Sequence, residues 1–331
     1  MSSKQKRCLA LFSGGLDSMI AVKLMTLQNI DVIAININIG FGSKIDTTEL
    51  MQKRARIAGA RFEMIDVRDT YIKDILFNPK FGYGKNFNPC IDCHGFMFRV
   101  AMELLEKYDA SFLVTGEVVG QRPMSQRNDA LNSVKKLAGD EDGLILRPLS
   151  AKVMKPTKPE LEGWVEREKL LGISGRGREV QLSLAKEYGW EDFEKPGGGC
   201  LLTDVNFTKK MRDFVKYDRL EVDDIDVLKN GRQLRLKDGA KLIVGRNQEE
   251  NERIEKIKSD KYIFIKPKDI PSPSSLLSEN ASPEDTILAL QAVLAFSKTE
   301  KGKKYDIMLG EKIVSQTPYE NKADLKKYFI T

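Results

Sequence analysis

The hydrophobic and polar positions in the first half of the chain alternate between strand and helix patterns. Short apolar runs rich in β-branched residues predict buried strands at 7–12, 31–37, 61–66 and 111–115. Apolar residues at helical spacing predict helices at 17–28, 47–58 and 91–108. Strands joined by helical crossovers form a parallel sheet, so we expect a doubly wound α/β domain that binds ligands beyond the carboxyl ends of its strands.

The pattern changes after Asp204. Two short alternating runs within 232–244 surround a Lys-Asp-Gly turn and predict a β-hairpin. Residues 271–283 are rich in Ser and Pro and predict a loop, and 284–296 has apolar residues at helical spacing. We therefore expect two domains, 1–204 and 205–331, the second a small α+β domain.

Composition excludes several classes of protein. The 331 residues are 41% hydrophobic, and no apolar run is long enough to span a membrane. The N-terminus lacks the apolar segment of a signal peptide, so a cytoplasmic location is expected. The net charge of +6 permits a polyanionic partner. A His-rich zinc site or a Ser-His-Asp triad would have to use the single histidine, His94.

The sharpest chemical pattern is SGGLDS, which lies where the first strand ends and the first helix begins. Gly14 and Gly15 allow close approach to the backbone, and the helix N-terminus attracts phosphate. Ser13 and Ser18 offer hydroxyl groups, and Asp17 can cap the helix or reach Mg²⁺. A glycine-rich turn with an ordinary cap is the alternative interpretation.

This string resembles the PP-loop ATP pyrophosphatase superfamily, whose members cleave ATP between the α and β phosphates to adenylate a substrate. The resemblance implies ATP and Mg²⁺ as ligands and Ser13, Gly14, Gly15, Asp17 and Ser18 as their binding residues. The chain lacks the Gly-Lys-Ser/Thr string of the enzymes that cleave the γ phosphate.

Two further strings narrow the resemblance. The TGEVVGQ string from Thr115 to Gln121, followed by Ser-Gln and Arg-Pro-Leu, is similar to a pattern of the tRNA 4-thiouridine synthetases. It implies that Gly116 and Gln121 also bind the nucleotide, although packing glycines and a solvated glutamine would fit the same letters. The segment around Cys90 and Cys93 resembles NPCxxCN of the tRNA 2-thiouridylases, with His94 in place of the Asn.

Three cysteines are candidates for sulfur chemistry. Cys200 follows a glycine-rich KPGGG segment, at a place where both thiouridine synthetase groups carry a catalytic cysteine, and Lys195 could favour its thiolate. With Cys90 and Cys93 it could hold a [4Fe–4S] cluster, form a persulfide and resolving-thiol couple, or bind structural zinc together with His94. Cys8, inside the first strand, is expected to be buried packing.

The second domain supplies the expected RNA contact. Its VGRN segment at 244–247, followed by Asn251, resembles the RNA-binding module of NFACT proteins. Basic side chains available for phosphate contacts are Arg232, Arg235, Lys237, Lys241, Arg246, Lys256, Lys258, Lys266, Lys268, Lys301, Lys303 and Lys304. A solvated face carrying mixed charges is the alternative.

Together these patterns predict a tRNA uridine thiolase. It would adenylate a uracil carbonyl oxygen with release of pyrophosphate, Arg99 or Arg147 stabilising phosphate charge, and then replace that oxygen with sulfur. A tRNA and a sulfur donor, such as a cysteine desulfurase or sulfide, are the implied partners, and a homodimer is one assembly left open. The alternatives are a PP-loop ligase acting on a small carboxylate and a non-catalytic RNA-binding protein.

Overall fold

A computed structural model describes residues 6–194 and 199–330. The chain divides into two compact units, Met1–Cys200 and Leu201–Thr331. The change of sequence pattern places the division slightly later, after Asp204. No helix in the described ranges is both long and apolar enough to cross a bilayer.

The first unit is built on a parallel sheet. Its strands are β1 (Arg7–Leu11), β2 (Asp31–Asn38), β3 (Arg61–Asp66), β4 (Phe112–Thr115) and β5 (Ile145–Leu146). They lie in the order β3-β2-β1-β4-β5, and each neighbouring pair is parallel. Its helices are α1 (Leu16–Thr26), α2 (Thr48–Ala58), α3 (Arg68–Tyr71), α4 (Cys90–Glu103), α5 (Asn128–Leu137), α6 (Lys158–Leu161) and α7 (Glu179–Glu187). The predicted doubly wound α/β fold is confirmed.

Both faces of the sheet are buried, which explains the continuous apolar runs of its strands. Cys8 and Ala10 of β1 pack into a cluster that includes Ile20 of α1. Leu9, between them, points to the opposite face and shares a cluster with Phe98 of α4. Helices therefore cover the sheet on both sides, with α1 and α4 on opposite faces.

The helix predicted at 91–108 is shorter than expected. Helix α4 ends at Glu103, and the chain then turns before it enters β4. Asp109, in the turn before β4, has a left-handed conformation with φ of 50°. Asn29, in the turn before β2, has a similar conformation with φ of 58°. The apolar spacing of 104–108 reflects packing of this turn against the sheet rather than a continuing helix.

The register of β1 and β4 positions the site. Leu11 lies opposite Thr115 in these adjacent parallel strands. The segments that follow, beginning at Phe12 and Gly116, therefore leave the same edge of the sheet side by side. This edge is where ligands bind in doubly wound folds.

The second unit contains an antiparallel sheet. Its strands are β6 (Arg232–Arg235), β7 (Lys241–Val244), β8 (Tyr262–Pro267), β9 (Ser275–Ser278), β10 (Tyr305–Leu309) and β11 (Lys312–Gln316), in the order β11-β10-β8-β9-β7-β6. Its helices are α8 (Val205–Phe214), α9 (Asp224–Lys229), α10 (Gln248–Glu255) and α11 (Pro283–Ala295). Helix α11 contributes Ala289, Leu290 and Val293 to the core over the sheet. The expected α+β class is confirmed.

The predicted hairpin is present, whereas the predicted loop is partly wrong. Strands β6 and β7 pair antiparallel, with Arg232 opposite Val244. Within the stretch predicted as a loop, β9 pairs with β7 on one side and β8 on the other. Leu276 and Leu277 are buried there, one on each face. Tertiary pairing therefore overrides the local preference of the Ser- and Pro-rich sequence for loops.

Candidate functional site

The loop between β1 and α1 forms the base of the candidate site. Gly14 has φ of +76°, a conformation that other residues rarely adopt. The Ser18 hydroxyl donates to the Gly15 carbonyl over 2.7 Å and lies 3.5 Å from the Ser13 hydroxyl. Gly15 is the N-cap of α1, so the helix begins where the loop ends. Free helix amides and serine hydroxyls at one place suit the binding of phosphate.

Asp17 is held in position by residues from two distant segments. The Gln121 amide donates to Asp17 Oδ2 over 2.8 Å, and the Gln181 amide donates to Gln121 over 3.2 Å. Asp17 Oδ1 is buried without a hydrogen-bond partner, and the Arg178 guanidinium lies 3.8 Å from it. A fixed carboxylate with one oxygen free of hydrogen bonds is the kind of ligand that Mg²⁺ takes. Sequence reasoning found Asp17 and Gln121 but not Arg178 or Gln181.

A buried arginine supports the loop from α2. Arg54 is 6% exposed, and its guanidinium donates to the Gly14 carbonyl over 3.1 Å. The same guanidinium forms an ion pair with Asp192 at 3.0 Å. Arg54 therefore fixes the left-handed turn at Gly14. It belongs to no recognisable motif, and only the packing of α2 against α1 reveals its role.

Gly116 lets β4 approach the first turn of α1. A Cβ atom there would lie 2.6 Å from the Asp17 carbonyl carbon and 2.6 Å from the Ser18 nitrogen, too close for any side chain. The structure thus gives Gly116 a packing role beside the loop. Its assignment as a nucleotide-binding residue stays a prediction.

Glu117, the next residue, connects three of the sequence strings. Its carboxylate contacts His94 Nδ1 at 3.0 Å and Arg147 Nε at 3.0 Å. Glu117 and Arg147 are 5% and 6% exposed. Burial alone would raise the pKa of Glu117, but the Arg147 cation and the hydrogen bond with His94 outweigh it and lower the pKa. Arg147, predicted as a phosphate contact, is committed to this carboxylate in the structure.

Cys90 begins helix α4 next to polar and sulfur neighbours. The Asn88 amide donates to Cys90 Sγ over 3.1 Å and lies 3.5 Å from Met124 Sδ. The Asn-Pro-Cys segment therefore presents Cys90 as the accessible thiol of its pair, since Cys93 is buried.

Cys90, Cys93 and Cys200 all act electrostatically on one buried residue, Tyr71. Burial raises the pKa of Tyr71, and the neighbouring Cys93, Cys200 and Cys90 raise it further. Burial and the Cys200 thiolate likewise raise the pKa of Cys93. The three cysteines that the sequence singled out therefore all influence the pKa of one tyrosine that it did not.

The metal interpretations of these cysteines lack a matching geometry. Over 6–194 and 199–330, no group of three His, Cys, Asp or Glu side chains is arranged to hold a metal ion. His94, the fourth zinc ligand considered, is paired with Glu117. Lys195, proposed to favour the Cys200 thiolate, lies outside the described residues. Cys8 is fully buried in β1, as expected.

One of the expected RNA contacts, Lys241, is wrong, and a second, Arg235, is engaged in an ion pair within the unit. Lys241 is 2% exposed, and its ammonium group lies 3.3 Å from Asp213. Arg235 pairs with the same carboxylate at 2.6 Å. Burial lowers the pKa of Lys241 to about 8. These two cations stabilise the second unit from within, so phosphate contacts there would have to come from exposed residues such as Lys301 and Lys304.

Comparisons with known proteins find similarities in both parts of the chain. Residues 6–81 match the arginosuccinate synthase N-terminal HUP domain, and residues 231–328 match the NFACT protein RNA binding domain. The argininosuccinate synthase of Saccharomyces cerevisiae is 36% identical over 75 residues, which is 23% of this chain and 17% of that protein. The tRNA-specific 2-thiouridylase MnmA 2 of Fusobacterium nucleatum is 26% identical over 114 residues, 34% of this chain and 33% of that one.

The solved structure of a 4-thiouridine synthetase in complex with RNA and ATP aligns with 56% of this chain and 41% of its own, at 19% identity and a TM-score of 0.40. This chain spans between about a sixth and a third of the length of the two curated relatives. Its first unit is therefore similar to nucleotide-binding domains of the PP-loop type, and its second contains an NFACT-like segment.

Proposed function

We propose that this protein is an ATP-dependent tRNA uridine thiolase. The observation that carries the proposal is the connection between the nucleotide loop and the cysteine helix. Gly116 packs on the backbone of Asp17 and Ser18, and the adjacent Glu117 pairs with His94, one turn beyond Cys90. Activation of the uracil by ATP and delivery of sulfur would therefore occur on opposite sides of the Gly116–Glu117 segment.

The first step uses the loop from Ser13 to Ser18. The loop amides and hydroxyls would bind the phosphates of ATP. Asp17 Oδ1, the carboxylate oxygen without a hydrogen bond, would bind Mg²⁺. A uracil carbonyl oxygen attacks the α phosphorus, an O–P bond forms and pyrophosphate leaves. Cationic Arg178, 3.8 Å from Asp17, would balance charge on the departing phosphates.

The second step uses the cysteines around Tyr71. A Cys200 persulfide attacks the activated uracil carbon, its terminal sulfur forms the C–S bond, and AMP leaves with the oxygen. A second thiol, Cys90, then attacks Cys200 Sγ, which releases the thiouridine and leaves a Cys90–Cys200 disulfide. A dithiol reductant and a sulfur donor, such as a cysteine desulfurase, must restore the persulfide for the next turnover.

A [4Fe–4S] cluster is the alternative sulfur carrier, with Cys90, Cys93 and Cys200 as its ligands. Three cysteines beside one hydroxyl supply the right kind of ligand, although the described side chains are not arranged as a metal site. Iron and acid-labile sulfide analysis of anaerobically purified protein distinguishes the two carriers. If the protein contains stoichiometric iron and thiolation requires it, the cluster is the sulfur carrier and the persulfide mechanism is excluded.

The test of the function combines two measurements. Pyrophosphate release is followed with ATP, Mg²⁺ and a sulfide source, with and without total tRNA, and thionucleosides are identified by mass spectrometry of the tRNA. We expect release that depends on tRNA and one nucleoside with sulfur in place of oxygen. The resemblance to argininosuccinate synthase favours a ligase for a small carboxylate as second candidate, and release independent of RNA would support it. If no pyrophosphate is released under any of these conditions, the remaining interpretation is a non-catalytic RNA-binding protein that retains the nucleotide-binding fold.

A further inference from the structure

A loop just before the cysteine helix exposes several aromatic rings. Residues 77–88, here called the aromatic loop, include Phe77, Phe81 and Tyr83, which are 37%, 46% and 40% exposed. The ring of Phe87, which is only half-buried, lies 5.9 Å from that of Phe77 and 4.9 Å from that of Tyr83. A group of exposed aromatic rings places apolar area in contact with water, and such patches are typical of interaction sites.

Hydrogen bonds fix the backbone of the aromatic loop. The buried carboxylate of Asp92 accepts from the backbone amides of Lys80 and Phe81, over 2.8 and 2.9 Å. The Tyr83 hydroxyl donates to the Leu76 carbonyl over 2.7 Å. The backbone that carries the exposed rings is therefore fixed, and a ligand would bind them with little loss of backbone conformational entropy.

The same loop lies against the chemistry. At Gly84 a Cβ atom would lie 2.5 Å from Asn88 Nδ2 and 2.5 Å from Met124 Sδ. Asn88 in turn donates to Cys90 Sγ over 3.1 Å. The base of the aromatic loop therefore contacts both the thiol and the segment that follows Gln121, the residue that holds Asp17.

Charge indicates the kind of ligand. Lys80 and Lys85 are exposed, and residues 77–88 contain no Asp or Glu. Neither lysine forms an ion pair with a described residue. Aromatic faces interleaved with unpaired cations are the arrangement by which proteins bind unpaired nucleotides, the bases stacking on rings and the phosphates facing the cations.

We propose that the aromatic loop is a stacking platform for an unpaired nucleobase of the RNA substrate, beside Cys90. This inference rests on the proposed function and deepens it, because a uridine can reach the activated phosphate and the thiols only when it is out of a base-paired stack. Phe81, the most exposed of the rings, provides the face, and Lys80 and Lys85 contact the flanking phosphates.

The test measures the affinity of the full chain for a fluorescent oligouridylate, with a duplex RNA of the same length as comparison. Phe81→Leu keeps an apolar side chain but removes the ring, and Phe81→Tyr keeps the ring. Alanine substitution of a stacking aromatic weakens binding by about fivefold or more. We expect a loss of that size in F81L for oligouridylate, near-normal binding in F81Y, and equal duplex binding in both.

The control is Leu161→Ala, which alters a side chain that is 74% exposed elsewhere in the first unit. Equal oligouridylate affinity of wild type, F81L and F81Y would overturn the platform while tRNA-dependent pyrophosphate release by the wild type still supported the thiolase. A loss of thiolation in F81L with unchanged RNA affinity would overturn it too, and would assign the loop to the sulfur-donor protein. Wild-type protein that neither binds oligouridylate nor releases pyrophosphate would overturn both proposals.

Discussion

At the scale of single residues, each predicted group is completed by a partner that the sequence does not mark. Asp17 depends on Arg178 and, through Gln121, on Gln181. The loop at Gly14 depends on Arg54, and the cysteines act electrostatically on Tyr71. The sequence contained weak signals for Glu117, inside a quoted string, and for His94, which departs from the resembled pattern. It contained none for Arg54, because an arginine on a surface-like helix is ordinary.

Asp17→Asn should lower the rate of pyrophosphate release by about 100-fold or more, since it removes charge from the proposed Mg²⁺ ligand while keeping the bond to Gln121. Initial rates at saturating ATP and tRNA measure this. Asp129→Asn, on an exposed position of α5, is the matched control. A normal rate in the Asp17 variant would contradict the role of the loop in ATP cleavage.

Cys200→Ser should abolish formation of the thionucleoside while pyrophosphate release persists, because activation does not need the thiol. Mass spectrometry of tRNA and a pyrophosphate assay on the same sample separate the two steps. Cys8→Ala, which changes a fully buried thiol in β1, should retain thiolation. Undiminished thiolation in the Cys200 variant would exclude both the persulfide and the cluster at this residue.

Glu117→Gln should destabilise the first unit by about 3 kcal/mol at neutral pH, because it leaves Arg147 buried without its anion. The folded pKa of Glu117 is below its usual 4.5, so its stabilisation is complete above that value and is lost as pH falls through the folded pKa. The stability gap between wild type and variant should therefore narrow in acid. Both tryptophans, Trp164 and Trp190, lie in the first unit, so urea unfolding followed by their fluorescence measures it. A gap that does not depend on pH would contradict this account.

At the scale of elements, the site depends on how closely β4 approaches α1. Parallel pairing with Leu11 opposite Thr115 brings the two loops together, and Gly116 removes the side chain that would separate them. Both strands were predicted within a residue or two, since their apolar runs are unambiguous. The register between them depends on packing of the whole sheet, and no local pattern specifies it.

Gly116→Ala should weaken ATP binding and cost about 1–3 kcal/mol of stability, because the added methyl group collides with backbone that cannot rotate away. Isothermal titration with ATP and Mg²⁺, together with urea unfolding, tests this. Gly42→Ala is the control, since a Cβ there meets nothing within 4 Å. Wild-type affinity in the Gly116 variant would show that the loop tolerates displacement of β4.

At the scale of the whole molecule, the two units suggest a division of labour. The first carries the nucleotide loop and the cysteines, and the second carries the segment that matches an RNA-binding domain. The net charge of +6 is modest, so RNA affinity must come from local groups of exposed cations rather than from the overall field. Lys301 and Lys304 are exposed on the second unit, whereas Lys241 and Arg235 are committed to Asp213.

The double substitution Lys301→Glu and Lys304→Glu should weaken tRNA binding. It should also reduce the slope of log K against log salt concentration by about 0.7–0.9 for each phosphate that is no longer neutralised. The rate of pyrophosphate release at saturating tRNA should remain normal. Lys186→Glu, at an exposed position of α7, is the matched charge reversal in the first unit. An unchanged slope in the double variant would remove this surface from the RNA interface.

The sequence by itself determined the two kinds of unit, the order of the first four strands and the main helices between them, and the loop and cysteines that we propose bear the chemistry. These follow from periodicity and local turn chemistry, which neighbouring residues specify. Only the tertiary structure decided that β9 pairs within the stretch predicted as a loop, that Lys241 is buried, and that Glu117, His94 and Arg147 meet. Such contacts join segments far apart in the chain, and their free energy comes from burial and charge pairing that exist only once the sheet and helices have assembled.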